Sequence, residues 1–248
     1  MVDSNGDVVL VVGAAGGIGQ ALCRRLAKRG ARLVLAARDI EKLAELGREL
    51  GAESHMLDAR DVDATGALVK SVVERHGGID GAVNLAGSIL LKPAHTTSAQ
   101  EWDDVLATNL RTAFSVVRAV APAIARERGG SIVLMSSAAA RTGLANHDAI
   151  AAAKAGVQGL ALSAAATYAA RGVRINVVAP GLVRTPLAGR LVTNEASLKV
   201  SEAMHPLGRI GEPDDVASMI DWLLSREQRW VTGQIFGVDG GLGTLRPR

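Results

Sequence analysis

In 248 residues the chain has one cysteine, Cys23, one tyrosine, Tyr168, and an aromatic content of only 2%. A lone cysteine cannot close an intrachain disulfide, so a disulfide-stapled scaffold is set aside and a reducing, cytoplasmic setting is expected. Few aromatics leave little flat surface for stacking exposed bases. Lys and Arg are interleaved with Asp and Glu around a formal net charge of +3, without the basic tail of a polyanion binder. No nucleic-acid partner is expected. The polar, acidic start at 1–7 leads into an apolar run at 8–12 that is too short for a signal peptide or a membrane span. No membrane partner is expected either, and no metal ligands are assigned.

What the sequence does have is aliphatic. Hydrophobic residues form 48% of the chain, mostly Ala, Val, Leu and Ile, enough for one substantial core. Short β-branched runs at 8–12, 32–37, 79–85, 131–136, 173–179 and 234–238 read as buried strands. Helical stretches at 17–29, 40–50, 62–76 and 213–225 lie among them. This alternation predicts right-handed βαβ crossovers and a single α/β domain spanning 1–248. Its architecture is a Rossmann-type, doubly wound parallel sheet of about seven strands with helices on both faces. The least regular stretch, 187–205, has two readings: a substrate lid, or an ordinary pair of surface helices.

Between the first strand and the first helix runs Gly13-Ala14-Ala15-Gly16-Gly17-Ile18-Gly19. Glycines there let the backbone approach a pyrophosphate, and the helix behind them aims its unpaired amides at it. A glycine-rich turn alone is weak evidence, but one placed between strand and helix is stronger. A dinucleotide site shows its cofactor preference at the end of the second strand, where a carboxylate bonds the ribose hydroxyls and repels a 2′-phosphate. Here the chain reads Ala36-Ala37-Arg38. The missing carboxylate and the neighbouring guanidinium favour NADP(H) over NAD(H). Asp39 nearby, and Gly16 where a second basic residue would help, argue the other way.

Together with Asn84-Leu85-Ala86-Gly87 after the fourth strand and Pro180-Gly181 followed by Thr185, the glycine pattern resembles the short-chain dehydrogenase/reductase family. The match runs nearly end to end and includes Asp58, Asn109, Ser136-Ser137, Pro206-Leu207-Gly208-Arg209 and Val238-Asp239-Gly240-Gly241. The resemblance implies that Gly13, Gly17, Ile18 and Gly19 hold the phosphates and that Asp58 bonds the adenine. By the same carry-over, Asn84, Ala86 and Gly87 flank the cofactor, while Pro180, Gly181, Val183 and Thr185 hold its nicotinamide end. Taken singly, Asp58 also reads as a helix cap and Pro180-Gly181 as a plain turn.

The family's chemistry uses Asn, Ser, Tyr and Lys, and Asn109, Ser137 and Lys154 match. Four residues before Lys154, where the family has tyrosine, stands Ile150, which neither donates nor accepts a proton. Tyr168 lies fourteen residues beyond Lys154, about 21 Å further along a continuous helix. The leading substitute is His147, three positions before Ile150 and so on the same helix face. Asn146 or Asp148 would cap that helix, and a neutral imidazole near its start can still donate to a carbonyl oxygen. His147 equally reads as a residue lining an entrance. His95, in the loop after the fourth strand, is the next candidate.

In the family Lys154 would also bond the nicotinamide ribose, in a binding protein as readily as in an enzyme. The alanine-rich helix over 146–170, with Gly156 and Gly159, permits close packing within one subunit or, as in the family, at a dimer interface. A homotetramer or homodimer is expected. The leading expectation is an NADP(H)-dependent oxidoreductase moving a hydride between the cofactor and a small-molecule carbonyl or alcohol, with a non-standard proton donor. The alternatives are a catalytically silent dinucleotide-binding or redox-sensing protein and, more remotely, a lyase or isomerase holding the cofactor structurally.

Overall fold

The computed structural model describes residues 6–124 and 128–246. Five consecutive aliphatic residues, Val8–Val12, form β1, every one of them buried. Successive side chains on a strand point to opposite faces. Val8, Leu10 and Val12 accordingly enter one apolar layer, and Val9 and Val11 the other. A strand buried on both faces belongs in the middle of a sandwich of helices, and that is where β1 lies.

The described strands form one seven-stranded sheet, in the order β3-β2-β1-β4-β5-β6-β7, with every pairing parallel. The other strands are β2 (Arg32–Ala37), β3 (Glu53–Met56), β4 (Gly81–Asn84), β5 (Gly130–Met135), β6 (Val173–Pro180) and β7 (Ile235–Val238). One face is covered by α1 (Gly17–Lys28), α2 (Ile40–Leu50) and α9 (Pro213–Leu224), the other by α3 (Val62–His76), α5 (Thr112–Val120) and α6 (Asp148–Tyr168). The expected doubly wound fold is present. The expected strands and helices agree with the structure to within one or two residues at each end. β3 escapes the run-based reading because Glu-Ser-His-Met is polar, as an edge strand with no fully buried residue can be.

Local chemistry sets the helix ends. Asp61, not Asp58, caps α3, its carboxylate accepting from the Asp63 and Ala64 amides at 3.0 and 2.9 Å. Ser98 opens α4 (Ala99–Leu106) in a reciprocal box with Glu101. Between α4 and α5 the backbone widens into a π-turn over Ala107–Arg111. Such bulges often mark functional sites. The segment Asp148–Arg171 is long and apolar enough to cross a membrane by length and composition. In this fold it is a core helix: Val157, Ala161, Ala164 and Ala165 pack against the sheet. The Gly156 notch is filled within the subunit by Leu110 of the π-turn, while the space at Gly159 is open.

Candidate active site

Strand order reverses at β1, whose chain leads to β2 on one side while β4 lies on the other. A crevice therefore opens at the carboxyl ends of these strands. Gly13 begins its floor with φ at +83°, and a Cβ there would lie 2.8 Å from the Ala86 nitrogen. At Gly19 a Cβ would meet the Gly13 and Ala14 carbonyl oxygens at 2.5 and 2.6 Å. Only glycine fits both places. α1 begins at Gly17 with no side-chain cap and no acidic residue in its first turn, so its free amides and positive dipole end face the crevice. Across it, Thr185 stands against Gly17, where an added Cβ would touch the Thr185 methyl at 3.0 Å.

The crevice has two lobes that share Gly13, Gly16, Gly17, Leu85, Gly87 and Leu187. The larger, of about 480 Å³, is lined by Arg38, Asp39, Lys42, Asp58, Ala86 and Arg60 among others. Its carboxylates are engaged. Asp39 caps α2 through the Lys42 amide at 3.1 Å and pairs with Lys42 Nζ at 2.9 Å; the bond from Lys42 holds its carboxyl below the usual range. Asp58 is gripped by the Arg60 guanidinium, Nη2 to Oδ2 at 2.6 Å, which lowers its pKa in the same way. Arg38 is exposed at the lobe's edge. With Lys42 and Arg60 paired to these two acids, the lobe's named charges leave a surplus of one cation, with Arg38 at its edge.

The smaller lobe, of about 190 Å³, brings together Asn109, Ser137, Ile150 and Lys154, with Ile18, Pro180, Gly181, Val183 and Thr185 along its walls. Asn84 ends β4 and splits its amide between the Ala86 amide, which donates to Oδ1 at 3.2 Å, and Thr112 Oγ1, which accepts at 3.1 Å. The π-turn aims Asn109 at Ser88: Nδ2 donates to Ser88 Oγ at 3.0 Å and Oδ1 accepts from the Ser88 amide at 3.2 Å. Ser137 follows β5 and starts a 3-10 turn, its Oγ accepting from the Ala139 amide at 3.1 Å. Its hydroxyl proton remains available to a ligand oxygen. Lys154 is buried, donates to the Met135 carbonyl at 2.9 Å, and is pushed down to about 8 by burial. Ile150 is buried one turn earlier on α6. Tyr168, at the far end of α6, packs on the core.

Three comparisons bear on this arrangement. The family described as enoyl-(acyl carrier protein) reductase matches residues 13–243. A 3-oxoacyl-[acyl-carrier-protein] reductase of Thermotoga maritima is 36% identical over 242 residues, 96% of this chain and 98% of that one. The chain belongs to the short-chain dehydrogenase/reductase family. Among solved family structures, a single-substitution variant of actinorhodin polyketide ketoreductase with NADPH superposes with a TM-score of 0.91 at 34% identity, covering 99% of this chain and 100% of that one. A structure named ribose-5-phosphate isomerase from Brucella melitensis 16M does so with a TM-score of 0.92 at 32% identity, covering 97% and 94%. These family members carry the names of reductases, consistent with an oxidoreductase family, and one of them is solved with NADPH.

Within that family frame, the smaller lobe continues past Ile150 and Ser137 into an apolar cavity of about 180 Å³, lined by Leu91, Leu144, Leu182, Leu191 and Met204 among others. Segment 187–205 supplies part of its wall as two short helices, α7 (Gly189–Thr193) and α8 (Glu195–Met204). His147 lines this cavity but not the lobe that holds Lys154. It occupies the cap position of α6, flanked by Asn146 at φ +62°, and its Nδ1 donates to the Ala145 carbonyl at 2.7 Å. The other nitrogen, Nε2, is then an acceptor in the neutral ring and donates only from the imidazolium. This narrows the sequence expectation of a neutral histidine donor. His95 is exposed and lines neither lobe nor cavity.

Three residues escaped the sequence reading. Lys42 and Arg60 reach the larger lobe from α2 and from the turn after β3; their signal was a basic residue two or three positions after an aspartate in a βα connection. His205 is buried where α8 ends. Its Nδ1 donates to the Ser201 carbonyl at 2.6 Å and its Nε2 accepts the Leu182 amide at 3.2 Å, tying the helix to the turn after β6.

Proposed function

We propose that this chain is an NADP(H)-dependent reductase of apolar small-molecule carbonyls that lacks the family's catalytic tyrosine and takes its proton from another group. The carrying observation is one continuous crevice, from a lobe edged by Arg38, Lys42 and Arg60 to the corner of Asn109, Ser137 and Lys154, opening onto an apolar cavity. Gly13 and Gly19, where a Cβ would collide with backbone, fit a cradle for a pyrophosphate. When bound, the cofactor supplies a hydride. Asp58 faces the adenosine lobe, Thr185 and the turn at Pro180 border the nicotinamide end, and Ser137 orients the carbonyl oxygen. The reductase names of the relatives, one of them solved with NADPH, support this reading. Segment 187–205 acts as the lid, the protein works in the cytoplasm, and it assembles as a homotetramer or homodimer.

Ile150 favours a second reading, a dinucleotide-binding protein without turnover. Oxidation of NADPH by the natural chain and by Ile150→Tyr, across 3-oxoacyl thioesters, ketones and quinones, separates the two. Slow oxidation by the natural chain is expected, roughly 10²- to 10⁴-fold below the tyrosine variant. Activity confined to Ile150→Tyr would leave the silent reading standing, and product formed without NADPH loss would point to an isomerase. NADPH is expected to bind more tightly than NADH, with the difference narrowed by Arg38→Ala.

A further inference from the structure

If the site reduces a carbonyl without a phenol, some other group must carry a proton to the oxygen. Two basic side chains flank Ile150, and the structure treats them differently. His147 lies on the far, apolar side, with one nitrogen committed to a backbone carbonyl. Lys154 lies in the lobe itself, together with Ser137 and Asn109. Its ammonium has three donors; among the described residues one is accepted, at Met135, and a ribose contact would still leave one for a ligand oxygen or water. Ile150 offers no acceptor for the others. A Cβ placed on Gly87 would lie 3.5 Å from Lys154 Nζ and 3.0 Å from Asn109 Oδ1, so the ammonium and the Asn109–Ser88 pair border the same small space beside the Gly87 turn.

The surroundings also leave the charge uncompensated. The neighbouring elements bring the Met135 carbonyl from β5, the Gly87 backbone from the turn after β4, the Asn109 amide from the π-turn and Ile150 from α6. None of these groups is charged, and burial lowers the lysine's proton affinity. Ser136 bonds the lysine's carbonyl, not its ammonium.

We propose that Lys154 is itself the proton donor of this site, acting on the carbonyl oxygen directly or across one water. The proposal rests on the reductase reading above. With a hydride delivered to the carbonyl carbon, the C=O π pair moves to oxygen and takes the Nζ proton. One N–H bond breaks and one O–H bond forms, and the neutral amine is reprotonated from solvent. A lysine held near neutrality suits this task, because a good general acid has a pKa close to the working pH.

The test compares Lys154→Arg and His147→Ala with the natural chain, reading NADPH affinity by fluorescence, turnover across pH, and the Lys154 ammonium by nitrogen-15 NMR of the cofactor-free protein. Arginine keeps the cation and a donor for Met135 but does not release its proton. Turnover should fall roughly 10²-fold or more, and NADPH affinity is read beside it because residue 154 also borders the cofactor crevice. In the natural chain and in His147→Ala, turnover should be full below about 8 and fall as the pH rises through it. Retained turnover in Lys154→Arg, disappearance of the fall near pH 8 in His147→Ala, or an ammonium that titrates in its ordinary range would each overturn the proposal. Lost NADPH binding in Lys154→Arg shifts the decision to the His147→Ala profile and the ammonium titration. Absence of NADPH oxidation in the natural chain defeats the reductase reading instead, and the ammonium titration is measured independently of it.

Discussion

Lys154 is a buried ammonium in an uncharged corner, hydrogen-bonded to the Met135 carbonyl, and that placement bears on stability as well as on chemistry. Its pKa falls from 10.5 to about 8 in the folded chain. Between those values the unfolded chain binds more protons, so stability rises with pH across the window. The favourable contribution is fully present above 10.5 and is lost as the pH falls through about 8. Its size is at most about 3 kcal/mol. Because burial also raises the Cys23 thiol to about 12, which lowers stability as the pH rises above 9, the readout is the difference between two chains. The natural chain should gain on Lys154→Met between pH 8 and 10.5 in chemical denaturation of the cofactor-free protein, and parallel profiles would contradict the assignment. The family resemblance identifies Lys154 as a candidate, four residues after the place of the missing tyrosine. What spacing cannot convey is that its neighbours are uncharged, since those neighbours arrive from β5 and the π-turn.

At the scale of elements, the glycine turn was legible because backbone geometry demands glycine at 13 and 19 whatever lies around them. The capping of α2 by Asp39 was not anticipated, although it changes what that carboxylate can do. For 187–205 the sequence left a lid and a pair of surface helices both open, and α7 and α8 are that pair; their inward residues, Leu191 and Met204, are too few to impose a helical period that would have decided it. The attachment of α8 was invisible. His205 joins Ser201 to the Leu182 amide, 23 positions before the histidine itself, through two ring nitrogens. Its loss leaves the Leu182 amide and the Ser201 carbonyl without these partners, at a cost of about 1–3 kcal/mol. His205→Ala should accelerate hydrogen exchange at the Leu182 amide and lower the denaturation midpoint, while Gly19 and its helix keep their protection. Unchanged exchange at Leu182 would show that the tie does not hold the turn.

The whole molecule leaves apolar side chains on its outside. Phe114 on α5 and Leu162 on α6 are 44% and 50% exposed, and Trp230, before β7, is 97% exposed. β7 also ends the sheet with one side unpaired among the described strands. These features agree with the proposed self-association, and the mass in solution at low protein concentration should be that of a dimer or a tetramer. A stable monomer would refute it. Fold class follows from alternating aliphatic runs and the place of the crevice from the glycine turn after the first strand, so at this scale the sequence was most informative, although the strand order is seen only in the structure. The charge balance of the larger lobe was less so, because it depends on which acid meets which base once β2, α2 and the turn after β3 are assembled.

That balance governs how a preference for one dinucleotide would be lost. Two carboxylates already stand at the adenosine lobe, each masked by a cation, Asp39 by Lys42 and Asp58 by Arg60. No acid has to be introduced to discourage a 2′-phosphate. Deleting either mask would unveil a negative charge already in position, so the proposed preference would narrow on loss of a single surface lysine.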